Sequence, residues 1–349
     1  MLRKAKQTTL RGLSSAGVFG LCARSNWRRQ RLIILCYHGI SLDDEHRWNP
    51  GLYLSPAVFE SRLQLLAESG FTILPLGEAL ERLYRRDLPP ASVAITIDDG
   101  HYDFYRQAYP IIKKFGFPVT LYLSSFYTDF NRPIFDGFCS YLLWKARDSE
   151  IRANPKIGLD FDADLRAESN RVRTWRAVEQ FTIRERLDAS EKDLVLQSLA
   201  KHLGISYADL AARRILYNLN PAEVGEVARD GVSIQLHTHR HRTPLDRDLF
   251  LREIRDNRSR IVAMTGVNPT HFCYPSGVYN RDFFPWLSES GIVSATTCDR
   301  GLNNAATNPF LLLRILDHSG LQPIELEGWL TGCSAWLPHH KYSTPDDTD

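Results

Sequence analysis

The chain alternates between short apolar runs of strand length and amphipathic segments with helical spacing. Residues 31–37 form an apolar run, and residues 55–70 open with the Ser-Pro pair typical of a helix start and end on a glycine. The same rhythm continues through residues 71–97 and again through residues 109–123. Strands that alternate with helices form parallel sheets with the helices outside, so the pattern predicts an α/β fold, either an open sheet or a barrel.

The length of the chain and a change in its texture predict one large domain with an inserted segment. With 349 residues, 43% of them hydrophobic, the chain can bury one large α/β core or two ordinary ones. From about residue 137 to residue 219 the sequence becomes charged and helix-rich, and afterwards the strand-and-helix rhythm resumes. We therefore expect a basic N-terminal arm (1–31), an α/β domain (32–340) with a helical insertion at about 137–219, and a flexible tail (341–349).

The N-terminal arm concentrates positive charge. Its 31 residues hold eight arginines or lysines and no acid, although the net charge of the chain is only +2. The apolar stretch Leu13–Ala23 has 11 residues, too few to cross a bilayer as a helix. These features predict a basic amphipathic leader that contacts anionic lipid, with a plain solvated helix as the alternative. We expect a cytoplasmic protein, peripheral to the inner membrane face through this arm, with export left open and no nucleic-acid partner.

The cysteines give a weaker indication of the same compartment. The chain has six, and no two of them form a CxxC pair. Scattered cysteines are typical of reduced, mostly buried thiols in a cytosolic protein, although three disulfides remain an alternative on counting alone.

Two adjacent acids, Asp98 and Asp99, come directly after the apolar run that ends at residue 97. The simplest interpretation is a strand that ends in an Asp-Gly turn, since both residue types favour chain reversal. In either α/β arrangement, however, functional groups collect at the carboxyl ends of the strands. His38 follows the first apolar run in the same way, so the fold would bring it to the same end as the two acids.

Three histidines at alternate positions, His237, His239 and His241, follow a later apolar run. The Thr243-Pro244 pair leaves little room for a helix here, so the cluster belongs to a strand end. A surface histidine cluster without a ligand role is the alternative. Two imidazoles and one carboxylate would match a catalytic zinc site, which has three protein ligands and one open position.

Three motifs together resemble a known family. TIDDG, HTHRH and CYPSG, in that order and each after an apolar run, resemble the leading motifs of the polysaccharide deacetylases, the NodB-homology or carbohydrate esterase 4 enzymes. YHGI and NPFLLLRI resemble the branch that acts on exopolysaccharides. The resemblance covers about residues 33–129 and 221–315. It implies a distorted (β/α)7-type barrel and a metal-dependent hydrolase of N-acetyl groups on sugars.

The resemblance also implies roles for the acids and the histidines. Asp99, His237 and His241 would bind a divalent metal, and Asp98 would be the general base toward the metal-activated water. Zinc is the expected metal, although cobalt, nickel or iron also suit these ligands. A neighbouring cation lets two adjacent carboxylates stay ionised, because its charge outweighs their repulsion.

The remaining roles rest on the same resemblance. Ser276 would offer its backbone N–H to the oxyanion. Cys273 stands where many members of the family have an arginine that holds the base, and our hypothesis is that Arg314 supplies this charge from another strand. Two histidines compete as the acid that protonates the leaving amine. We favour His38 over His318, because a strand-end position suits a catalytic acid.

The sequence and the resemblance predict a broad class of substrate. The predicted substrate is an N-acetylated oligo- or polysaccharide or a glycolipid. One alternative is that the same catalytic residues hydrolyse an O-acetyl ester or a non-sugar amide. The other is a catalytically silent carbohydrate-binding or scaffolding domain. The insertion lies between the base and the histidines in the sequence, so we expect it to cover the groove and select the substrate.

Overall fold

The structure is a computed structural model that describes residues 2–338, so the predicted tail at 341–349 lies outside the described residues. Its centre is a closed ring of seven parallel strands. In chain order the ring strands are β1 (Ile33–Tyr37), β2 (Ser92–Ile97), β3 (Thr120–Leu123), β4 (Ser233–Leu236), β5 (His271–Cys273), β6 (Ser294–Arg300) and β7 (Leu312–Leu316).

The ring closes through β1, which pairs with β2 on one side and with β7 on the other. A short strand, Thr72–Ile73, lies outside the ring and pairs with the beginning of β2. A (β/α)7-type barrel is therefore confirmed. Every residue of β1 and β2 is buried, as expected for strands with the barrel interior on one face and helices on the other.

Seven helices of the described chain follow the barrel strands or the short strand along the sequence. They are Pro56–Glu68, Leu76–Arg85, Tyr109–Phe115, Pro221–Arg229, Arg247–Thr265, Phe283–Glu289 and Pro323–Leu330. Helix Pro56–Glu68 begins as predicted, with Ser55 as its N-cap: the Ser55 hydroxyl accepts the Val58 N–H. The remaining short elements are the strand pair Gly39–Ile40 with Tyr53–Leu54, a π-helical turn at Phe104–Ala108, and helical turns at Glu45–Trp48, Tyr127–Asp129, Pro155–Ile157, Pro275–Gly277 and Cys333–Trp336.

The predicted insertion forms a helical subdomain with its own apolar core. Its helices are Phe135–Lys145, Glu168–Arg184, Ala189–His202 and Tyr207–Ala212, and an antiparallel pair of short strands, Glu150–Ile151 and Ala163–Asp164, lies between the first two. Tyr53, from the loop after β1, belongs to this core. The insertion rejoins the barrel beside the two acids, where Asn218 bridges to His101.

Residues 2–31 contain three helices, Leu2–Ser15, Val18–Arg24 and Asn26–Arg29, which are packed on the barrel rather than extended from it. Leu10 is fully buried and belongs to a small apolar cluster that Ile324 of helix Pro323–Leu330 also contacts. No helix in the described part of the chain is long and apolar enough to span a membrane. Contact between this region and lipid stays a prediction.

Arg28 fastens the end of this region to the amino-terminal end of the barrel. Its guanidinium is fully buried and donates to the carbonyl oxygens of Leu330 (2.8 Å), Arg31 (2.7 Å) and Ser92 (3.4 Å). Burial lowers the pKa of Arg28 to about 10, so the side chain stays charged near neutral pH.

We expect Arg28→Ala to lower the free energy of unfolding by about 2–4 kcal/mol, because it leaves three carbonyl groups without a donor. Urea denaturation measures this change. Arg29→Ala is the matched control, since Arg29 is exposed, and should change stability by less than about 0.5 kcal/mol. Equal effects of the two substitutions would contradict the anchoring role of Arg28.

All six cysteines are free, and four of them are buried. The prediction of reduced thiols therefore matches the structure, and none of the three alternative disulfides is present.

Candidate active site

The barrel brings the two acids and the histidine cluster to one end. Asp98 and Asp99 follow β2, whereas His237 and His241 follow β4. These strands are parallel neighbours on either side of β3, so both loops emerge at the carboxyl end of the ring.

Asp99 lies between the two predicted imidazole ligands. Its Oδ1 is 3.2 Å from Nε2 of His237 and 3.2 Å from Nε2 of His241. The His237 side chain is 2% exposed, whereas that of His241 is 42% exposed, so the cluster is closed on one side and open to solvent on the other. The three ligand atoms lie within 4.8 Å of one another.

The hydrogen bonds of His237 determine which nitrogen faces Asp99. Its Nδ1 is 2.8 Å from the carbonyl oxygen of Cys273, and a carbonyl only accepts, so Nδ1 carries the hydrogen. A neutral His237 then points the lone pair of Nε2 at the Asp99 carboxylate. Two lone pairs at 3.2 Å repel each other unless a cation or a proton lies between them. Burial lowers the pKa of His237, but the Asp99 carboxylate outweighs burial and raises it above the ordinary value. The donor set therefore fits a bound cation.

The loops that carry these side chains adopt an uncommon backbone conformation. Asp99 (φ 72°), Thr238 (φ 57°), His241 (φ 52°) and Ser276 (φ 56°) are non-glycine residues in the left-handed region. Such residues are uncommon and cluster at functional sites, where the surrounding structure maintains them. Gly100 is required in the same turn, because a Cβ there would lie 2.2 Å from the Leu123 side chain. The Asp-Gly turn expected after β2 is therefore present and carries the predicted ligand.

Arg314 contacts Asp98 as the sequence hypothesis requires. The guanidinium donates from Nη1 to Oδ1 (2.7 Å) and from Nη2 to Oδ2 (2.8 Å), a bidentate pair in which both side chains are at most 2% exposed. Its Nε donates to the carbonyl oxygen of Thr297 at 2.8 Å, which fixes the plane of the guanidinium. Burial alone would raise the pKa of Asp98, but Arg314 and His38 outweigh it and lower the pKa to about 2.

Two thiols complete the surroundings of Asp98. Sγ of Cys273 is 3.4 Å and Sγ of Cys36 is 3.7 Å from Oδ2. Burial raises the pKa of both thiols, so they are neutral donors toward the carboxylate. The sequence identified Cys273 as a departure from the family pattern but missed Cys36. The available signal was that Cys36 lies in the apolar run of β1, two residues before His38 in the sequence.

The two candidate acids lie in different places. Nε2 of His38 is 3.7 Å from Oδ2 of Asp98, and burial lowers the pKa of His38 although Asp98 opposes the shift. His318 lies on the loop after β7, where its Nδ1 is 3.2 Å from the carbonyl oxygen of Pro50 and 3.1 Å from the backbone nitrogen of Gly320. Of the two candidates, His38 is the one that lies beside Asp98, the predicted base.

Sequence reasoning missed His101, two residues after Asp99. Its Nε2 is 3.7 Å from Oδ2 of Asp99, and its Nδ1 is 3.4 Å from the hydroxyl of Tyr53. The rings of His101 and Tyr53 are stacked at an angle of 7°. His239, between the two predicted ligands, turns instead toward Ser125 (Nδ1 to Oγ, 3.0 Å).

Ser276 lies on the loop after β5, the strand next to β4 in the ring, and its side chain is exposed. The following residue must be glycine, because a Cβ at Gly277 would lie 2.7 Å from Cys298. The loop lies at the same end of the barrel as the predicted metal ligands.

Comparison with known proteins finds sequence similarity over part of the chain. The family model described as polysaccharide deacetylase matches residues 194–295. The Bacillus subtilis (strain 168) protein YxkH, named for the same family, is 34% identical over 94 residues, which are 27% of this chain. The matched part is 32% of that relative, so the chain spans about a third of its length.

Solved structures share the barrel. The Streptococcus pyogenes deacetylase PplD, solved in complex with acetate, superposes with a TM-score of 0.57 at 21% identity, covering 86% of this chain and 98% of that one. IcaB from Ammonifex degensii superposes with a TM-score of 0.55 at 17% identity, covering 86% and 97%. At these identities the superpositions show a shared fold. Over the matched residues, this chain is similar to the polysaccharide deacetylase family.

Proposed function

We propose that this protein is a metal-dependent hydrolase that removes N-acetyl groups from acetamido sugars of a glycan or glycolipid. The observation that carries the proposal is the convergence of Asp99, His237 and His241 beside a carboxylate, Asp98, that Arg314 holds in place. Reaction of such a group with water breaks the amide C–N bond and releases acetate and a free amine.

Asp99, His237 and His241 would hold the metal. Two imidazole nitrogens and one carboxylate are the donor set of many catalytic zinc sites, and we propose zinc, although cobalt, nickel or iron suit the same ligands. When bound, such an ion supplies Lewis-acid chemistry: it polarises a carbonyl and lowers the pKa of water to roughly 7.

Asp98 is the proposed general base. With a pKa of about 2 its carboxylate is ionised throughout the neutral range, and Arg314 keeps both oxygens in a fixed orientation. The thiols of Cys36 and Cys273 lie next to Oδ2 and restrict rotation of the carboxylate. Asp98 therefore accepts the proton of the attacking water without first losing one of its own.

The leaving amine requires a proton donor, and we propose His38. It lies beside the base, at the carboxyl end of β1, with its side chain 13% exposed. The backbone N–H of Ser276 would donate a hydrogen bond to the oxyanion. The left-handed backbone conformation of Ser276 sets the direction of this N–H, whatever its side chain is.

The substrate is proposed to be carbohydrate because the family and the folds that share the barrel point there. PplD was solved with acetate bound, and acetate is the product that this reaction releases. An O-acetyl ester would leave an alcohol rather than an amine, so the released co-product separates the two chemistries.

An acetate-release assay tests the proposal. N-acetylated oligosaccharides and lipid-linked sugars should yield acetate and an equal amount of free amine, and a chelator should abolish release until a divalent ion is restored. Purified protein that contains no stoichiometric metal and releases no acetate would instead indicate the catalytically silent alternative.

The choice between the two histidines gives a second expected result. We expect His38→Ala to lower kcat for acetate release by about 10²–10⁴, the usual contribution of a positioned acid or base. His318→Ala, its matched control, should keep kcat within a few-fold. The reverse order would assign the acid to His318. His38→Ala should bind the same amount of metal as the unaltered protein, which separates loss of an acid from loss of the metal site.

A further inference from the structure

A cavity separate from the candidate metal site lies between the loop after β1 and the insertion. It has a volume of about 250 Å³, and we call it the tryptophan cavity because Trp48, Trp144 and Trp175 line it. These are three of the seven tryptophans in the chain. Trp48 comes from the barrel, whereas the other two come from helices Phe135–Lys145 and Glu168–Arg184 of the insertion.

Polar groups surround the aromatic walls of this cavity. Arg171 lies in the lining, and its Nη1 donates to the carbonyl oxygens of Leu165 (2.6 Å) and Arg166 (3.0 Å). Glu168 is also in the lining. Within residues 2–338 neither side chain forms an ion pair, so a fixed cation and an exposed carboxylate face a cavity with aromatic walls. The buried indole N–H of Trp175 has no hydrogen-bond partner in the same part of the chain.

Three successive side-chain contacts connect the tryptophan cavity to the metal site. The ring of Trp48 lies 6.0 Å from the ring of Tyr53, and the hydroxyl of Tyr53 is 3.4 Å from Nδ1 of His101. His101 in turn is 3.7 Å from the Asp99 carboxylate. A chain-like ligand held at the ligands of the metal site is therefore close enough to reach this cavity with another of its units.

A sugar ring suits this combination of groups. Its C–H face is apolar and packs on an indole ring, whereas its hydroxyls bond to charged side chains. The volume lies just below the range of about 300–1,000 Å³ for sites that hold drug-sized molecules, which corresponds to one ring rather than several.

We propose that the tryptophan cavity binds one sugar ring of the substrate at a distance from the acetamido group that is hydrolysed. The enzyme then acts on glycan chains in preference to single sugars, and the insertion sets this preference. This inference rests on the proposed function, because it assigns a substrate class to the same catalytic site.

The test compares acetate release from N-acetylglucosamine with release from its linear oligomers up to the hexamer, in both common β linkages. For Trp175→Ala we expect KM for the longer oligomers to rise about tenfold with kcat unchanged, whereas kinetics on the monosaccharide stay the same. Trp336→Ala is the matched control, because Trp336 is 69% exposed and belongs to the C-terminal segment that packs on Trp27. It should leave every substrate unaffected.

Glu168→Gln is a second variant that should not disturb folding, since Glu168 is exposed at the start of its helix. It should also raise KM for the long oligomers only. Unchanged KM values for all chain lengths in both variants would overturn the proposal.

A wild-type protein that releases no acetate would refute the proposed function instead. The cavity is then judged by calorimetric titration with the hexamer. Weaker binding by Trp175→Ala than by Trp336→Ala supports the sugar site, and no binding by the wild type overturns it.

Discussion

Asp99→Asn should remove the metal and reduce acetate release by more than about a hundredfold. The substitution keeps the size of the side chain but replaces the carboxylate oxygen that lies 3.2 Å from both imidazoles with an uncharged amide. Loss of a partner that only orients a metal ligand already costs 10–100-fold in affinity or activity, so loss of a direct ligand should cost more. Metal analysis of the purified variant and the acetate assay measure the two effects.

The control for this prediction is an exposed acid far from the site. Asp87→Asn removes the same charge from the surface and should change neither metal content nor kcat. If Asp99→Asn kept a full equivalent of metal and its activity, the metal would be bound elsewhere and the assignment of Asp99 would be wrong.

Arg314→Met should destabilise the fold and abolish activity together. Asp98 would remain buried without its cation, and breaking a buried ion pair on one side costs about 3–5 kcal/mol. Activity should fall as well, since the carboxylate loses the two hydrogen bonds that orient it. Chemical denaturation and the acetate assay test the two expectations.

The destabilisation by Arg314→Met should depend on pH in a defined direction. In the wild type the pKa of Asp98 is about 2, below its unfolded value of about 3.9, so the stabilising contribution of the ion pair is complete above pH 4 and is lost as the pH falls toward 2. The variant has no such contribution, and protonation of its buried carboxyl relieves the penalty. The difference in stability should therefore be largest near neutral pH and shrink on acidification.

A compensating change distinguishes this cause from a simple packing defect. Asp98→Asn in the Arg314→Met background removes the unpaired charge and should recover part of the lost stability at neutral pH, although not the activity. A double variant as unstable as Arg314→Met would show that the cavity left by the guanidinium, not the unpaired carboxylate, is responsible.

Sequence reasoning predicted most of the fold because the fold depends on local signals. The alternation of apolar runs and capped helices indicated a parallel α/β architecture, and the resemblance narrowed it to the barrel. Functional side chains that directly follow apolar runs were predicted to meet, because parallel strands end at one side of a sheet. Asp98, Asp99 and His237 meet for this reason.

The packing of the N-terminal region could not be predicted from local sequence signals. Eight basic residues without an acid suggested a separate arm, and charge composition says nothing about packing. In the structure Arg28 is fully buried and Leu10 is packed within an apolar cluster, so part of this region stabilises the barrel. Neither contact has a sequence signature, since each depends on partners about 300 residues away along the chain.

The sequence by itself determined the strand-and-helix rhythm and the placement of the acids and histidines at strand ends, and the resemblance suggested the pairing of Arg314 with Asp98. Only the tertiary structure decided the lateral neighbours: ring closure places β1 between β2 and β7, and this brings Cys36 and Arg314 to Asp98 from separate strands. The same holds for His101, Tyr53 and the tryptophan cavity, which form where the insertion packs on the loop after β1. Periodicity specifies which way a side chain points, whereas strand order and register specify what it meets, and these arise from the packing of the whole chain.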